Sequence, residues 1–277
     1  MNKEFRLKTK EGNFLNITAF GLEHINDLPC LILVHGFKGF KDWGFFPYAA
    51  KFFADKGYFV LTFNFSHNGI GLSKTEFEEI DKFAKNTISL EISELDHLIN
   101  AYSEGYFGNH QFNEIYLIGH SRGGAVSILS SLINQKPSGY VVWASVAKLG
   151  RYTERQKEVW RKNGFIEIPN SRTKQIMRLD LSYLEDIEKN IYNSLNLEEA
   201  VKNLKKPLLI IHGEQDLTVP ISEGKQIFQW GNKEYSEMFT VPNTGHTFDV
   251  VHPFEGSNYK FDAVLDKTNS FLKKLYN

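Results

Sequence analysis

Gly119-His120-Ser121-Arg122-Gly123 sets a serine two residues from a glycine on each side, after an apolar run and before a helical pattern. A hydroxyl on so sharp a strand-to-helix turn is aimed outward at the strand's carboxyl end, where open α/β sheets take ligands. The helix N-terminus behind it adds free N–H groups and a positive dipole end. The chemistry in prospect is nucleophilic attack. A serine hydroxyl manages that only beside a base that is itself oriented by an acid. On such a turn the partners follow in the chain order acid, then histidine. Asp216 lies in the loop after the apolar run 207–211, and His246 lies just past the run 237–241, so the order is met. Glu214 is the rival acid and His252 the rival base. His120 is expected to pack or to line a pocket, and His212 to end a strand as a structural residue.

Attack on a carbonyl also requires donors for the oxyanion that develops. The backbone N–H of Arg122, the residue after the serine, is one candidate. The loop His35-Gly36-Phe37-Lys38-Gly39 supplies the other, with the Phe37 N–H as the expected donor and Gly36 permitting a close approach. No histidine or cysteine spacing suits a metal, and Asn68-Gly69-Ile70-Gly71 lacks the Lys-Ser/Thr of a phosphate loop. Neither a metal nor a cofactor is expected.

The elements that must position these residues are short apolar runs at 30–34, 58–63, 114–118, 139–144 and 207–211. They show no alternation, as strands covered on both faces do. Helical spacing lies between them at 46–56, 87–102, 125–133, 221–230 and 261–275. Strands alternating with helices predict a mostly parallel, doubly wound α/β sheet. Runs at 5–9 and 14–20, joined by Glu11-Gly12-Asn13, predict an antiparallel hairpin at its start. The rhythm breaks at 146–205, where a charged helical stretch (152–162), extended runs (165–168 and 175–179, split by Pro169-Asn170-Ser171) and another helix (181–192) intervene. An insertion that long reads as a lid within a single 1–277 domain. Its aromatics Tyr152, Trp160, Phe165 and Tyr183 are expected to line the substrate pocket. From Lys148 to Arg178 nine basic residues, Arg172 among them, face three acidic ones. That excess would draw anionic substrates if it faces the cleft, and is a solvated helix face otherwise.

The full chain of 277 residues carries a net charge of −1, which gives no pull toward nucleic acid or an anionic membrane. A single cysteine, Cys30 in an apolar run, excludes an internal disulfide. The charged start Met1-Asn2-Lys3-Glu4-Phe5-Arg6 has no apolar segment behind it, and no run approaches 18 apolar residues. A soluble, cytoplasmic protein is the expectation.

The set His35-Gly36-Phe37, Gly119-His120-Ser121-Arg122-Gly123, Gly213-x-x-Asp216-x-x-Val219-Pro220 and Gly245-His246-Thr247-Phe248 resembles the α/β-hydrolase family across nearly the whole chain. Its H-G-F loop and mid-sized insertion are similar to bacterial cinnamoyl and feruloyl esterases and to the catalytic domains of prolyl-oligopeptidase-like enzymes. Arg122 departs from the small or apolar residue that many relatives carry there. The resemblance implies a serine hydrolase cleaving a small-molecule carboxylic ester through Ser121, His246 and Asp216. A peptidase, an acyltransferase and a non-catalytic binding protein on the same scaffold are the alternatives. Oligomeric state is left open.

Overall fold

The chain opens on a hairpin of β1 (Lys3–Lys8) and β2 (Phe14–Phe20), turned at Gly12, whose φ of 85° costs glycine little. The computed structural model describes residues 2–71, 73–109, 114–170 and 174–276. Ser171 and Arg172, both noted in the sequence, lie outside the described residues. After the hairpin come β3 (Cys30–Val34), α1 (Phe46–Ala54), β4 (Phe59–Asn64), α2 (Ile80–Ala84) and α3 (Ile88–Ser103). Next are β5 (Ile115–His120), α4 (Arg122–Ser130) and β6 (Pro137–Trp143). The region 146–205 contains α5 (Glu154–Asn163), β7 (Phe165–Pro169), β8 (Ile176–Asp180), α6 (Leu181–Asn190) and α7 (Leu197–Asn203). β9 (Leu208–Gly213), α8 (Ile221–Trp230), β10 (Ser236–Val241) and α9 (Tyr259–Tyr276) close the chain.

Eight strands form one sheet in the order β1-β2-β4-β3-β5-β6-β9-β10, antiparallel at the hairpin and parallel from β4 onward. β3, β4, β5 and β9 are buried along their whole length, as unalternating apolar runs require when both faces are covered. α1 and α9 meet in one layer, and α3, α4, α7 and α8 touch in succession in another. α3 starts where Thr87 accepts a hydrogen bond from the Leu90 N–H, and it buries Ile88, Ile92, Leu95 and Ile99. β7 and β8 form a separate antiparallel pair. Among the described residues no helix is long and apolar enough to cross a membrane.

The register lines up the strand ends that carry chemistry. Val34 pairs with Gly119, His120 with Trp143, Trp143 with Ile211, and Gly213 with Val241. The loops after β3, β5, β9 and β10 therefore leave the same edge of the sheet. Two details differ from the sequence reading. α4 begins at Arg122 rather than near 125, because Ser121 itself occupies the cap position. The short α2 and α7 were not expected, since five and seven residues complete too few turns to display a helical period.

The β5–α4 junction depends on missing side chains. A Cβ at Gly123 would collide with the carbonyl oxygens of Val34 and His35, which are backbone atoms of a buried strand end. Gly164, with φ 79°, has nothing within 4 Å of such an atom. Gly164→Ala should therefore cost only about 1–2 kcal/mol of left-handed strain. Gly123→Ala should cost more than about 3 kcal/mol, because the strand end must move. Urea unfolding midpoints compare the two, and a milder loss at Gly123 would contradict the close approach.

Candidate active site

Ser121 sits between β5 and α4 at φ 57° and ψ −124°. For a residue with a side chain this conformation costs about 1–3 kcal/mol and persists only where its surroundings enforce it. The Ser121 N–H donates to the Trp143 carbonyl at 2.9 Å, and its own carbonyl accepts from the Gly124 N–H at 3.0 Å. A Cβ on Gly36 would lie 2.9 Å from the Ser121 Cβ and 3.2 Å from the Arg122 nitrogen. The loop after β3 thus rests directly on the turn, which brings the Phe37 and Arg122 backbones to one side of Ser121. His35 secures that loop: its Nδ1 bonds the Gly36 carbonyl at 3.0 Å, and its Nε2 accepts from the Phe65 N–H at 3.3 Å. Burial pushes its pKa down to about 4, so the ring is neutral.

Asp216 and His246 are paired. The His246 Nδ1–H donates to Asp216 Oδ2 at 2.8 Å, which leaves Nε2 as the ring's acceptor. Asp216 Oδ1 accepts from the Thr218 and Val219 N–H groups at 2.9 and 2.8 Å. Burial alone would raise this carboxyl, but hydrogen bonds from His212, His246 and the Val219 backbone hold it well below the usual carboxylate range. Ser121 and His246 line one cavity. The imidazole makes no hydrogen bond to the Ser121 hydroxyl among the described residues, a contact that is often loose in unliganded sites and closes with substrate.

The rivals occupy other positions. Glu214 accepts from the Thr240 hydroxyl at 3.2 Å, and His252 accepts from the Gly44 N–H at 3.0 Å while stacking on Trp43. His212 bonds the Val219 carbonyl at 2.8 Å and stands 3.5 Å from Asp216. His120 donates to the His246 carbonyl at 2.9 Å, and burial pushes its pKa down to about 3.

The cavity measures about 570 Å³. Tyr152 and Tyr183 line it, as the sequence leads one to expect, together with Phe37 and Arg122. Trp160 and Phe165 do not line it. Trp160 is fully buried behind the wall, stacked on Tyr183 at 6.0 Å, and Phe165 on β7 lies under the Arg178 guanidinium. Trp43, Phe46, Val146 and Leu149 complete the apolar side, and sequence reasoning singled out none of them. Their aromatic and branched types mark burial, and only the fold decides which buried residue faces a cavity.

Residues 31–256 match the profile of the Alpha/beta hydrolase family. The chain belongs to that family. A solved structure of Est1E from Butyrivibrio proteoclasticus, with ferulic acid bound, superposes with a TM-score of 0.73 at 18% identity, covering 98% of each chain. The esterase domain of a Rhodothermus marinus protein gives a TM-score of 0.66 at 17% identity, covering 99% of this chain and 98% of that one. A Mycoplasma genitalium protein, named as a proposed esterase/lipase, is 23% identical over 97% of this chain and 99% of its own length.

In this α/β-hydrolase the basic stretch of the inserted region divides. Lys148 and Arg151 reach the cavity wall, joined there by Lys38, and Arg151 is at the same time paired with Glu223 at 2.5 Å. Lys157 pairs with Glu154 at 2.7 Å and Arg161 with Glu188 at 2.6 Å, so these charges are met locally. No acidic side chain lines the cavity among the described residues.

The Asp216 carboxyl also sets a pH signature. Because its folded value lies below its unfolded value near 3.9, the unfolded chain binds more protons between the two, and stability rises with pH across that window. Its contribution is complete above about pH 5 and is lost as pH falls through the folded value. Asp216→Asn should lower stability by on the order of 2 kcal/mol at neutral pH. The gap to the unsubstituted protein should narrow below about pH 4. Urea midpoints from pH 3 to 8 would show this, and a gap that widens on acidification would refute it.

Proposed function

We propose that this hydrolase cleaves carboxylic esters of small molecules through a covalent acyl-enzyme on Ser121. The observation that carries the reading is the 2.8 Å His246–Asp216 pair, opening onto the same cavity as a serine held on a strained strand-to-helix turn. In the first step His246 Nε2 takes the hydroxyl proton while Ser121 Oγ attacks the ester carbonyl. The Phe37 and Arg122 N–H groups receive the oxyanion. The carbonyl–alkoxy bond then breaks, and the alcohol leaves with the proton from His246. Water, deprotonated by the same nitrogen, releases the acid and restores Ser121. Asp216 keeps Nδ1 protonated and stabilises the imidazolium without itself taking the proton.

The wall of Phe37, Trp43, Phe46, Tyr152 and Tyr183 favours a flat or apolar acyl group. The ferulic acid bound to Est1E is an acid of that kind, which supports testing hydroxycinnamoyl esters beside short alkanoyl ones. The region 146–205, which contributes Tyr152 and Tyr183, acts as a lid over the site.

Ser121→Ala should fold with an unchanged unfolding midpoint and lose ester turnover by about 10³-fold or more. A fluorophosphonate probe should label the unsubstituted protein at Ser121, as peptide mass mapping would reveal. Retained turnover, or labelling elsewhere, would overturn the reading.

The cationic wall makes a second prediction. Lys148→Gln should lower kcat/KM for esters bearing a carboxylate tail several-fold more than for neutral esters, while Arg151, already paired with Glu223, is left in place. Salt near 0.15 M should shrink the difference, since exposed charges are screened over about 8 Å. Equal losses on both substrate types would deny the wall an electrostatic role.

A further inference from the structure

Arg122 stands where many relatives carry a small or apolar residue, and its side chain is held by specific partners. The guanidinium turns inward and is nearly buried, with 7% of the residue exposed. Nη2 donates to Glu91 Oε1 in a short contact, and that carboxylate, 2% exposed, also accepts from Asn86 Nδ2 at 2.8 Å. Nη1 donates to the Tyr183 hydroxyl at 3.2 Å. The guanidinium carbon Cζ lies 4.6 Å from the centroid of the Phe37 ring, which also stacks on Phe83 of α2 at 5.5 Å and has the Lys38 ammonium 5.8 Å from its centroid. Phe37 is thus in contact with the Arg122 cation and with an aromatic ring.

Phe37 and Arg122 are the two residues whose backbone N–H groups serve the oxyanion in the reading above. One side chain therefore belongs to the first donor and clamps the ring of the second. Its own place is set by a carboxylate on α3, an element that contributes no residue to the cavity wall. A desolvated cation on an aromatic face attracts the ring, and a planar guanidinium that donates to two different partners fixes direction as well as distance.

We propose that Glu91 is a positioning residue for the oxyanion site, acting through the Arg122 guanidinium to hold the Phe37 and Arg122 amides at a fixed separation. The inference rests on the ester-cleaving reading. Oxyanion donors contribute in the transition state more than in substrate binding, so loosening them lowers kcat and leaves KM nearly alone. A displacement approaching 1 Å costs up to about 100-fold.

A buried pair complicates any single substitution, because the partner left behind is an uncompensated charge. Removing both charges avoids that penalty and separates positioning from folding. The test compares the unsubstituted protein, Glu91→Gln, and Glu91→Gln combined with Arg122→Met. It reads unfolding midpoint, kcat and KM on a chromogenic ester, and the rate of fluorophosphonate labelling. The double variant should regain the unsubstituted midpoint while kcat and labelling rate stay about tenfold or more below it, with KM within about threefold. Recovery of midpoint and kcat together would reduce the pair to a structural role and overturn the proposal. So would a folded Glu91→Gln with undiminished kcat.

Should both variants fail to fold, Phe37→Leu decides, since it keeps the backbone N–H and all buried charges but removes the ring under the guanidinium. A fall of about tenfold in kcat at constant KM supports the clamp, and an unchanged kcat overturns it. Absence of ester turnover and of Ser121 labelling in the unsubstituted protein would instead fell the ester-cleaving reading, and this inference with it.

Discussion

The backbone at Ser121 can keep its left-handed turn only while β5 and α4 cross almost in contact, and most of the site is arranged around that crossing. The Gly119, Gly123 and Gly124 positions would each clash with backbone or with Ser145 if they carried a Cβ. With those side chains absent, the Val34–Gly119 register lets the loop after β3 lie against the turn, as the approach at Gly36 requires. The same register delivers the loops after β9 and β10 to the same sheet edge. A strain of about 1–3 kcal/mol at one residue is small beside the burial of the surrounding sheet, which is why the conformation holds.

Burial acts on the ionisable groups of this edge in opposite directions, according to whether hydrogen bonds answer it. His35 and His120 are driven neutral by desolvation, and each then fixes backbone: His35 the loop with Phe37, and His120 the carbonyl of His246. Asp216 meets the same desolvation, yet two backbone N–H groups and two imidazoles keep it anionic. The outcome is one fixed negative charge beside a ring whose tautomer it dictates, with a neutral His120 packed against that ring. That arrangement leaves Nε2 as the acceptor of the His246 ring.

What could be read from the sequence was what depends on near neighbours in the chain. The strand Cys30–Val34, the helix Ile221–Trp230, the hairpin and the strand-to-helix turn at Ser121 all follow from local pattern, and the parallel order of the loops follows from topology. The inserted region was less legible. Tyr152, Trp160, Phe165 and Tyr183 are alike in type, but only two reach the cavity; the others are distinguished by tertiary packing alone. The inward turn of Arg122 was equally hidden, because its partner Glu91 lies 31 residues earlier on another helix. A count of basic residues likewise gives charge without saying which ones are met by Glu154, Glu188 or Glu223 and which face the cavity.

The inserted region is bound to the same element that carries Glu91, and this bears on how the wall can behave. Asp186 on α6 accepts from both the N–H and the hydroxyl of Ser89, in the first turn of α3, at 3.0 and 2.5 Å. The Gln175 amide donates to the Phe77 carbonyl at 3.1 Å, and the Arg122–Tyr183 contact adds a tie at the cavity itself. Behind that contact, Trp160 lies parallel to Tyr183 at 9° and edge-on to Tyr152 at 5.0 Å, so the two wall tyrosines share one buried support. Hydrogen bonds to a carboxylate are worth about 1.5–3 kcal/mol each, and aromatic pairs about 0.5–1.5 kcal/mol beyond their area. Lifting this wall would break several such contacts at once and would unclamp Arg122 from one of its partners. The wall and the turn at Ser121 are therefore tied together twice, directly through the Arg122–Tyr183 contact and through α3 by way of Ser89–Asp186 and Glu91–Arg122.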